Sequence, residues 1–126
     1  MVAHVHAITV DCENSYQQSL FWSQVTGWSE NPNDPNEPEH PENFISAPGS
    51  DFGMLFINVP EGKQVKNRIH LDLWSKDGTR EQEVDRVIEL GATLADDRRN
   101  DDGTGFVVLT DPEGNEFCIC RGPHER

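Results

Sequence analysis

HAITVDCENSYQQSLFWSQVTG at positions 6–27 and HLDLWSKDGTREQEVDRVIELG at positions 70–91 set the architecture of this chain. Each begins on a histidine and reaches a glycine 21 positions later. In the first, Val5 to Val10 is β-rich and alternates, and then Tyr16, Leu20, Phe21 and Val25 recur at helical spacing between Ser15 and Thr26. Gly27 stands where a helix ends in the left-handed conformation that glycine adopts at little cost. In the second, Arg68 to Trp74 predicts a strand, and Thr79 and Gln82 are spaced as a capping box. Val84, Val87 and Ile88 then form the buried stripe of a helix that stops at Gly91. Both stretches read strand, loop, helix, and the agreement points to an internal duplication.

Further strands are expected outward from these two stretches. Asn43 to Ala47 and Gly53 to Val59 flank the turn-forming Pro48-Gly49-Ser50-Asp51 in the first half. Ala92 to Leu94, Phe106 to Thr110 and Glu116 to Cys120 follow the second helix, the last two joined by the tight turn Asp111-Pro112-Glu113-Gly114-Asn115. Each half then reads βαβββ, an α+β arrangement in which a half cannot cover its own sheet face. The expected organisation is one domain, 1–126, with module one at 1–60 and module two at 66–122. Between Ser29 and Asn43, prolines at 32, 35, 38 and 41 alternate with Asp34, Glu37, Glu39 and Glu42. That period favours an extended left-handed helix, so 29–43 is expected to be a stiff, solvated surface loop. It lacks the basic flank of a proline-motif ligand.

With 10 basic against 23 acidic side chains, the chain carries a formal net charge of −13. Phosphate backbones and anionic lipid surfaces would repel it, which excludes nucleic acid and acidic membranes as partners. Leu, Ile, Val and Phe together make up 29 of the 126 residues. That exceeds the ~20% level below which a charged chain stays disordered. No apolar run is long enough to span a bilayer, and no signal peptide is evident, so a cytoplasmic location is expected. Cys12, Cys118 and Cys120 cannot all pair internally, and reduced thiols are the expectation.

The segments DCENSYQQSLFWSQVTGW (11–28), NRIHLDLWSKD (67–77), VIELGATL (87–94) and LTDPEGNEFCIC (109–120) together resemble the vicinal oxygen chelate superfamily of glyoxalase, bleomycin-resistance and dioxygenase proteins, and within it the small glyoxalase-like domain proteins. The resemblance implies two βαβββ modules whose curled sheets form a cup over a small ligand. It also implies, for metal-dependent members, four ligands: one on the first and one on the last strand of each module. Carried over by position, His70 matches. The last-strand glutamate position, seven residues beyond Asp111, is Cys118, and Glu116 lies two residues early. The first-module position falls on Ala7 or His6 according to where the insertion lies, and Phe56 to Asn58 contains no acid. A full metal site is therefore not expected, and His70 is the only well-matched ligand position. No cofactor is expected, with a divalent metal as the alternative.

Alternation places Ile8, Val10, Leu71, Leu73, Phe117 and Ile119 toward the helices. His70, Asp72, Trp74, Glu116, Cys118 and Cys120 then face the other way, and Met54, Phe56 and Asn58 are expected to be the comparable set in module one. The expected ligand-binding residues are thus Phe56, Asn58, His70, Asp72, Trp74, Glu116 and Cys118. Trp74 and Phe56 suit stacking, and Asp72 and Glu116 suit a cationic group. The resulting expectation is a small-molecule-binding protein. One alternative is a lyase or isomerase in which His70 is catalytic, because an imidazole transfers protons near neutral pH. Another is a non-catalytic module that uses the cup as a dimer interface; a homodimer is expected in any case. Asp96 to Asp102 reads as a charged loop at the lip, its arginines compensated by neighbouring aspartates. His4 and His6 read as part of a core-facing or frayed strand.

Overall fold

The computed structural model describes all 126 residues, which form two compact units, Met1–Gly62 and Lys63–Arg126. The chain is mixed α+β with two small mixed sheets.

In the first unit, β1 (Ala7–Cys12), α1 (Ser15–Thr26), β2 (Glu42–Ser46) and β3 (Gly53–Asn58) follow in order. The sheet order is β1-β3-β2, with β1 parallel and β2 antiparallel to β3. The first helix has the predicted bounds. The Asn14 side chain accepts from Gln17 N at 3.1 Å, and Gly27, at φ 77°, donates to Ser23 O at 2.8 Å. The helix is rotated from the expected stripe: Leu20 is exposed, and the buried face is Ser15, Gln18, Ser19, Phe21, Trp22 and Val25. Polar contacts with the sheet set that rotation. Ser15 N donates to Asn58 Oδ1 at 2.7 Å, and Asn43 Nδ2 donates to Ser15 Oγ at 2.9 Å. Asn58 thereby satisfies one of the helix-start donors that have no partner within the helix.

Between α1 and β2 the chain makes a single bridge, Ser29 with Ser46. The Asn36 side-chain amide donates to Phe44 O at 2.8 Å and accepts from Phe44 N at 3.0 Å. Glu37 N also donates to Asn43 Oδ1 at 2.9 Å. The proline-rich stretch is therefore stitched to β2 rather than standing off as a stiff spacer.

The second unit contains β4 (Asp72–Leu73), α2 (Arg80–Leu90), β5 (Thr93–Arg99), β6 (Gly105–Thr110), β7 (Glu116–Cys120) and a 3-10 turn, Pro123–Glu125. Its sheet order is β4-β7-β6-β5, with β4 parallel to β7 and the other pairs antiparallel. The capping box of Thr79 and Gln82 is present. Val84, Val87, Val107, Leu109, Phe117 and Ile119 are the buried apolar residues between helix and sheet, whereas Ile88, expected in the stripe, is exposed. In the 111–115 turn, Asp111 Oδ1 accepts from Glu113 N and Asn115 N at 2.9 and 3.0 Å, with Gly114 at φ 90°.

Two strand expectations are corrected in this unit. Arg68 to Trp74 narrows to Asp72–Leu73, because only that part and Leu71 O, which accepts from Cys118 N at 2.9 Å, reach β7. Conversely, the supposed lip loop begins as strand, since β5 runs through Asp96–Arg99 before turning at Asn100. Arg98 pairs with Asp96 at 2.6 Å and Arg99 with Asp97 at 2.7 Å. Residues two apart on a strand share a face, so these pairs neutralise an exposed edge, where charge also deters unwanted pairing.

Candidate functional site

The face of the second sheet turned away from α2 carries the polar residues. Register places Asp72 directly beside Cys118 in the parallel β4–β7 pair, and Cys118 beside Val108 in the antiparallel one. Glu116 and Cys120 lie two residues to either side of Cys118 and so share its face. His70 precedes Asp72 by two residues. One ligand atom from each of His70, Asp72 and Cys118 lies within 4.8 Å of the others; the histidine and aspartate are exposed and the cysteine buried.

Burial raises the Cys118 thiol above its ordinary pKa. The Asp72 carboxylate adds to the effect through its charge and as a hydrogen-bond acceptor, and Cys120 contributes as well. Cys120 is raised in the same sense, by burial first and then by Asp72. Both thiols are thus held in the neutral form, the opposite of what an activated nucleophile requires.

Glu116, expected to bind a ligand, is hydrogen-bonded within its own chain. Lys63 Nζ donates to Oε2 at 3.0 Å and Asn67 N to Oε1 at 2.9 Å. Burial alone would raise its pKa, but the Asn67 N–H and the Lys63 ammonium outweigh it, and the carboxyl lies below its ordinary value. Both oxygens are engaged in pinning the 63–67 segment. Trp74 is half exposed, with its ring edge-on to His124 at 6.4 Å between centroids.

Phe56 and Asn58 lie on the helix-facing side of β3, Phe56 buried and Asn58 exposed at the strand's end. Pairing of Ile8 with Met54 and Val10 with Phe56 puts Met54, Phe56 and Asn58 on the same side as Ile8 and Val10. That side packs on α1: Phe56 is fully buried, and Asn58 bonds to Ser15. The expected orientation of these residues is therefore corrected. Because Met54-Leu55-Phe56-Ile57 is apolar on both faces, alternation could not assign its sides. His4 and His6 are exposed rather than core-facing, within 3.4 and 3.8 Å of Asp51, and the His6 ring stacks on Phe44. Ala7 opens β1.

Sequence reasoning missed Arg80. It is buried at the start of α2, and its Nη1 donates to the carbonyls of Gly103, Thr104 and Gly105 at 3.3, 3.3 and 3.1 Å. Beside it, Glu125 accepts from Arg80 N at 2.8 Å and from Gly122 N at 2.9 Å, while His124 Nε2 lies 2.8 Å from Gly78 O. A shallow depression of about 470 Å³ opens there, its wall including Asp77, Arg80, Arg121 and Glu125. Only the apolar period of α2 would have flagged Arg80, as the one charge on the buried side.

Mixed sheets of this topology, one with a βαβββ order, define a class of small α+β proteins, and the comparisons give the family. Residues 7–120 match the pattern of the glyoxalase-like domain family, and the chain belongs to it. No curated protein matches significantly. Among solved structures, the chain is similar to a glyoxalase/bleomycin resistance protein/dioxygenase family enzyme from Burkholderia phytofirmans PsJN, at 22% identity and a TM-score of 0.68 over 93% of this chain and 97% of that one. It is also similar to the fosfomycin resistance protein FosX from Mesorhizobium loti, at 15% identity and a TM-score of 0.69 over 100% and 98%. A FosX point mutant from Listeria monocytogenes, solved with Mn(II) and 1S,2S-dihydroxypropylphosphonic acid, aligns at 16% identity and a TM-score of 0.69 over 99% and 94%. At these identities the likeness is one of fold.

A divalent metal is thus known in this fold, and the donor set decides how these residues suit one. Imidazole, carboxylate and thiolate fit a first-row ion of borderline softness better than the harder Mn(II), which favours oxygen and nitrogen. His70, Asp72 and Cys118 are the residues of this face that could hold it.

Proposed function

We propose that this protein binds a small organic molecule at the face of the second sheet bearing His70, Asp72 and Cys118, with Trp74 at its margin and without the four-ligand metal centre of metal-dependent relatives. The observation that carries this reading is the convergence of those three donors within 4.8 Å on a partly open face. Small-molecule sites combine a few converging polar groups with apolar and aromatic surface, and half-exposed Val108 and Trp74 supply the latter. A charge of −13 and an exposed Asp72 favour a neutral or cationic ligand over an anion such as the phosphonate bound by FosX.

The neighbouring carboxylate supports a second, enzymatic reading. An imidazole with an adjacent acid can be held in one tautomer and pass protons at neutral pH, so His70 would act as acid or base in a lyase or isomerase step. An ion held by His70, Asp72 and Cys118 would supply polarisation of a ligand oxygen. Exposed Val65 and Ile69 support a homodimer, and three free cysteines support a cytoplasmic setting. No helix is long and apolar enough to cross a membrane.

The test is a thermal-shift screen of neutral and cationic metabolites against the wild type, His70→Ala and Trp74→Ala. A ligand of the native state raises the melting temperature with its occupancy. Compounds that stabilise the wild type and lose their effect in both variants support the reading. Stabilisation that survives both substitutions sinks it.

A further inference from the structure

We infer that Trp74 and Phe106 form an aromatic cage for a quaternary ammonium group of the bound molecule, with Asp72 as its counter-charge, an assignment that rests on the small-molecule reading of the same face. Trp74 is 50% exposed and Phe106 40%. Both belong to the side of the second sheet turned away from α2. Phe106 is the antiparallel partner of Cys120. In the parallel β4–β7 pair Asp72 lies beside Cys118 and Leu73 beside Ile119, so one residue further on Trp74 comes alongside Cys120. The two aromatic residues therefore flank one central strand, and the side chain between them is only a cysteine.

Neighbouring strands lie about 4.8 Å apart, so residues on either side of β7 start roughly 9.6 Å from one another. That width discriminates among guests. A flat ring touching both faces fills only about 7–8 Å, two contacts of about 3.5–4.0 Å each. A trimethylammonium group is thicker, and a nitrogen midway, about 4.8 Å from each ring, lies inside the ~6 Å at which an aromatic face holds a cation. Trp74 is braced for this role. A Cβ added at Gly122 would stand 3.0 Å from Trp74 Cε3, and the His124 ring is edge-on to the indole at 6.4 Å between centroids. Such bracing lowers the entropic cost of presenting the ring to a guest.

Charge points the same way. Asp72 is exposed and lies two residues before Trp74 on the same face, about 6.6 Å along the strand. Lys63, Arg80, Arg86, Arg98 and Arg99 each have a carboxylate partner other than Asp72. Arg98, across from Phe106 on β5, is the cation that would oppose such a guest, and Asp96 already pairs with it at 2.6 Å. A quaternary nitrogen has no N–H to satisfy. It needs only surrounding negative potential, which two ring faces and one carboxylate supply. His70 and Cys118 are left to the remainder of the molecule.

The experiment is a proton NMR titration of choline with the full-length protein, following the N-methyl resonance. Ring currents should move it upfield, saturating at one equivalent. The neutral isostere 3,3-dimethylbutan-1-ol and the unmethylated ethanolamine should each bind about 5-fold more weakly. Phe106→Leu and Trp74→Leu should each weaken choline binding about 2- to 5-fold and shrink the limiting shift, whereas Trp74→Phe, which keeps a ring, should retain most of both. Asp72→Asn should weaken choline and leave the neutral isostere unchanged. The inference is overturned by an undiminished shift in Phe106→Leu, by the isostere binding as tightly as choline, or by no binding at all. Phosphatidylcholine vesicles carry the same headgroup on a membrane, and tighter binding to them than to choline also overturns it. If choline fails while the thermal-shift screen yields a compound whose effect is lost in His70→Ala and Trp74→Ala, the cage is refuted and the ligand-binding reading stands.

Discussion

Glu116→Gln separates anchoring from recognition on the second sheet. In the native chain one carboxylate oxygen accepts from Lys63 Nζ at 3.0 Å and the other from Asn67 N at 2.9 Å, and the two side chains of the ion pair are only 16% and 21% exposed. Glutamine preserves shape and can still accept from Asn67, but it turns an amide donor toward the ammonium. The loss is one charge-assisted hydrogen bond, about 1.5–2 kcal/mol after allowing for partial exposure. For a chain of this size that lowers Tm by about 6 °C. A double-mutant cycle with Lys63→Met should return most of that energy as coupling.

The pH dependence fixes the sign. The folded carboxyl of Glu116 lies below its ordinary value of 4.5, so its contribution is complete above that value and disappears as pH falls through the lower folded one. Urea denaturation of wild type and variant should therefore differ by a constant amount from neutral pH down to the ordinary carboxylate range, and then converge on acidification. A stability difference that does not vary with pH, or a coupling near zero, would refute the anchoring argument.

Phe56→Ala should cost about 3–5 kcal/mol in urea denaturation, the loss for a fully buried aromatic; a surface ligand contact would cost far less. Arg80→Met should cost about 3 kcal/mol by the same measurement and speed amide exchange in the 100–104 turn, because three carbonyls lose their donor. Asp72→Asn removes a charge that holds the Cys118 thiol neutral, so Cys118 alkylation at fixed pH should accelerate, as read by mass spectrometry. An unchanged rate would mean that burial alone governs the thiol.

Local physics made much of this protein legible in its sequence. The change from period two to period 3.6 places both helices, Gly27 and the Thr79–Gln82 box end and begin them, and Asp111 to Asn115 closes the last turn. All of these depend on neighbours a few residues away. The polar face of the second sheet was legible too, because Leu71, Leu73, Phe117 and Ile119 alternate cleanly with Asp72, Glu116 and Cys118. Phe56 and Asn58 were not, since a strand apolar on both faces acquires its sides only from its partner. The pairing of β3 with β1 turned them toward α1. Tertiary structure alone also committed Glu116 to Lys63 and Asn67, buried Arg80 beneath the 103–105 carbonyls, and set Asp72 beside Cys118. Each of these contacts joins residues more than twenty positions apart in the chain, and that proximity exists only once strands have chosen their register.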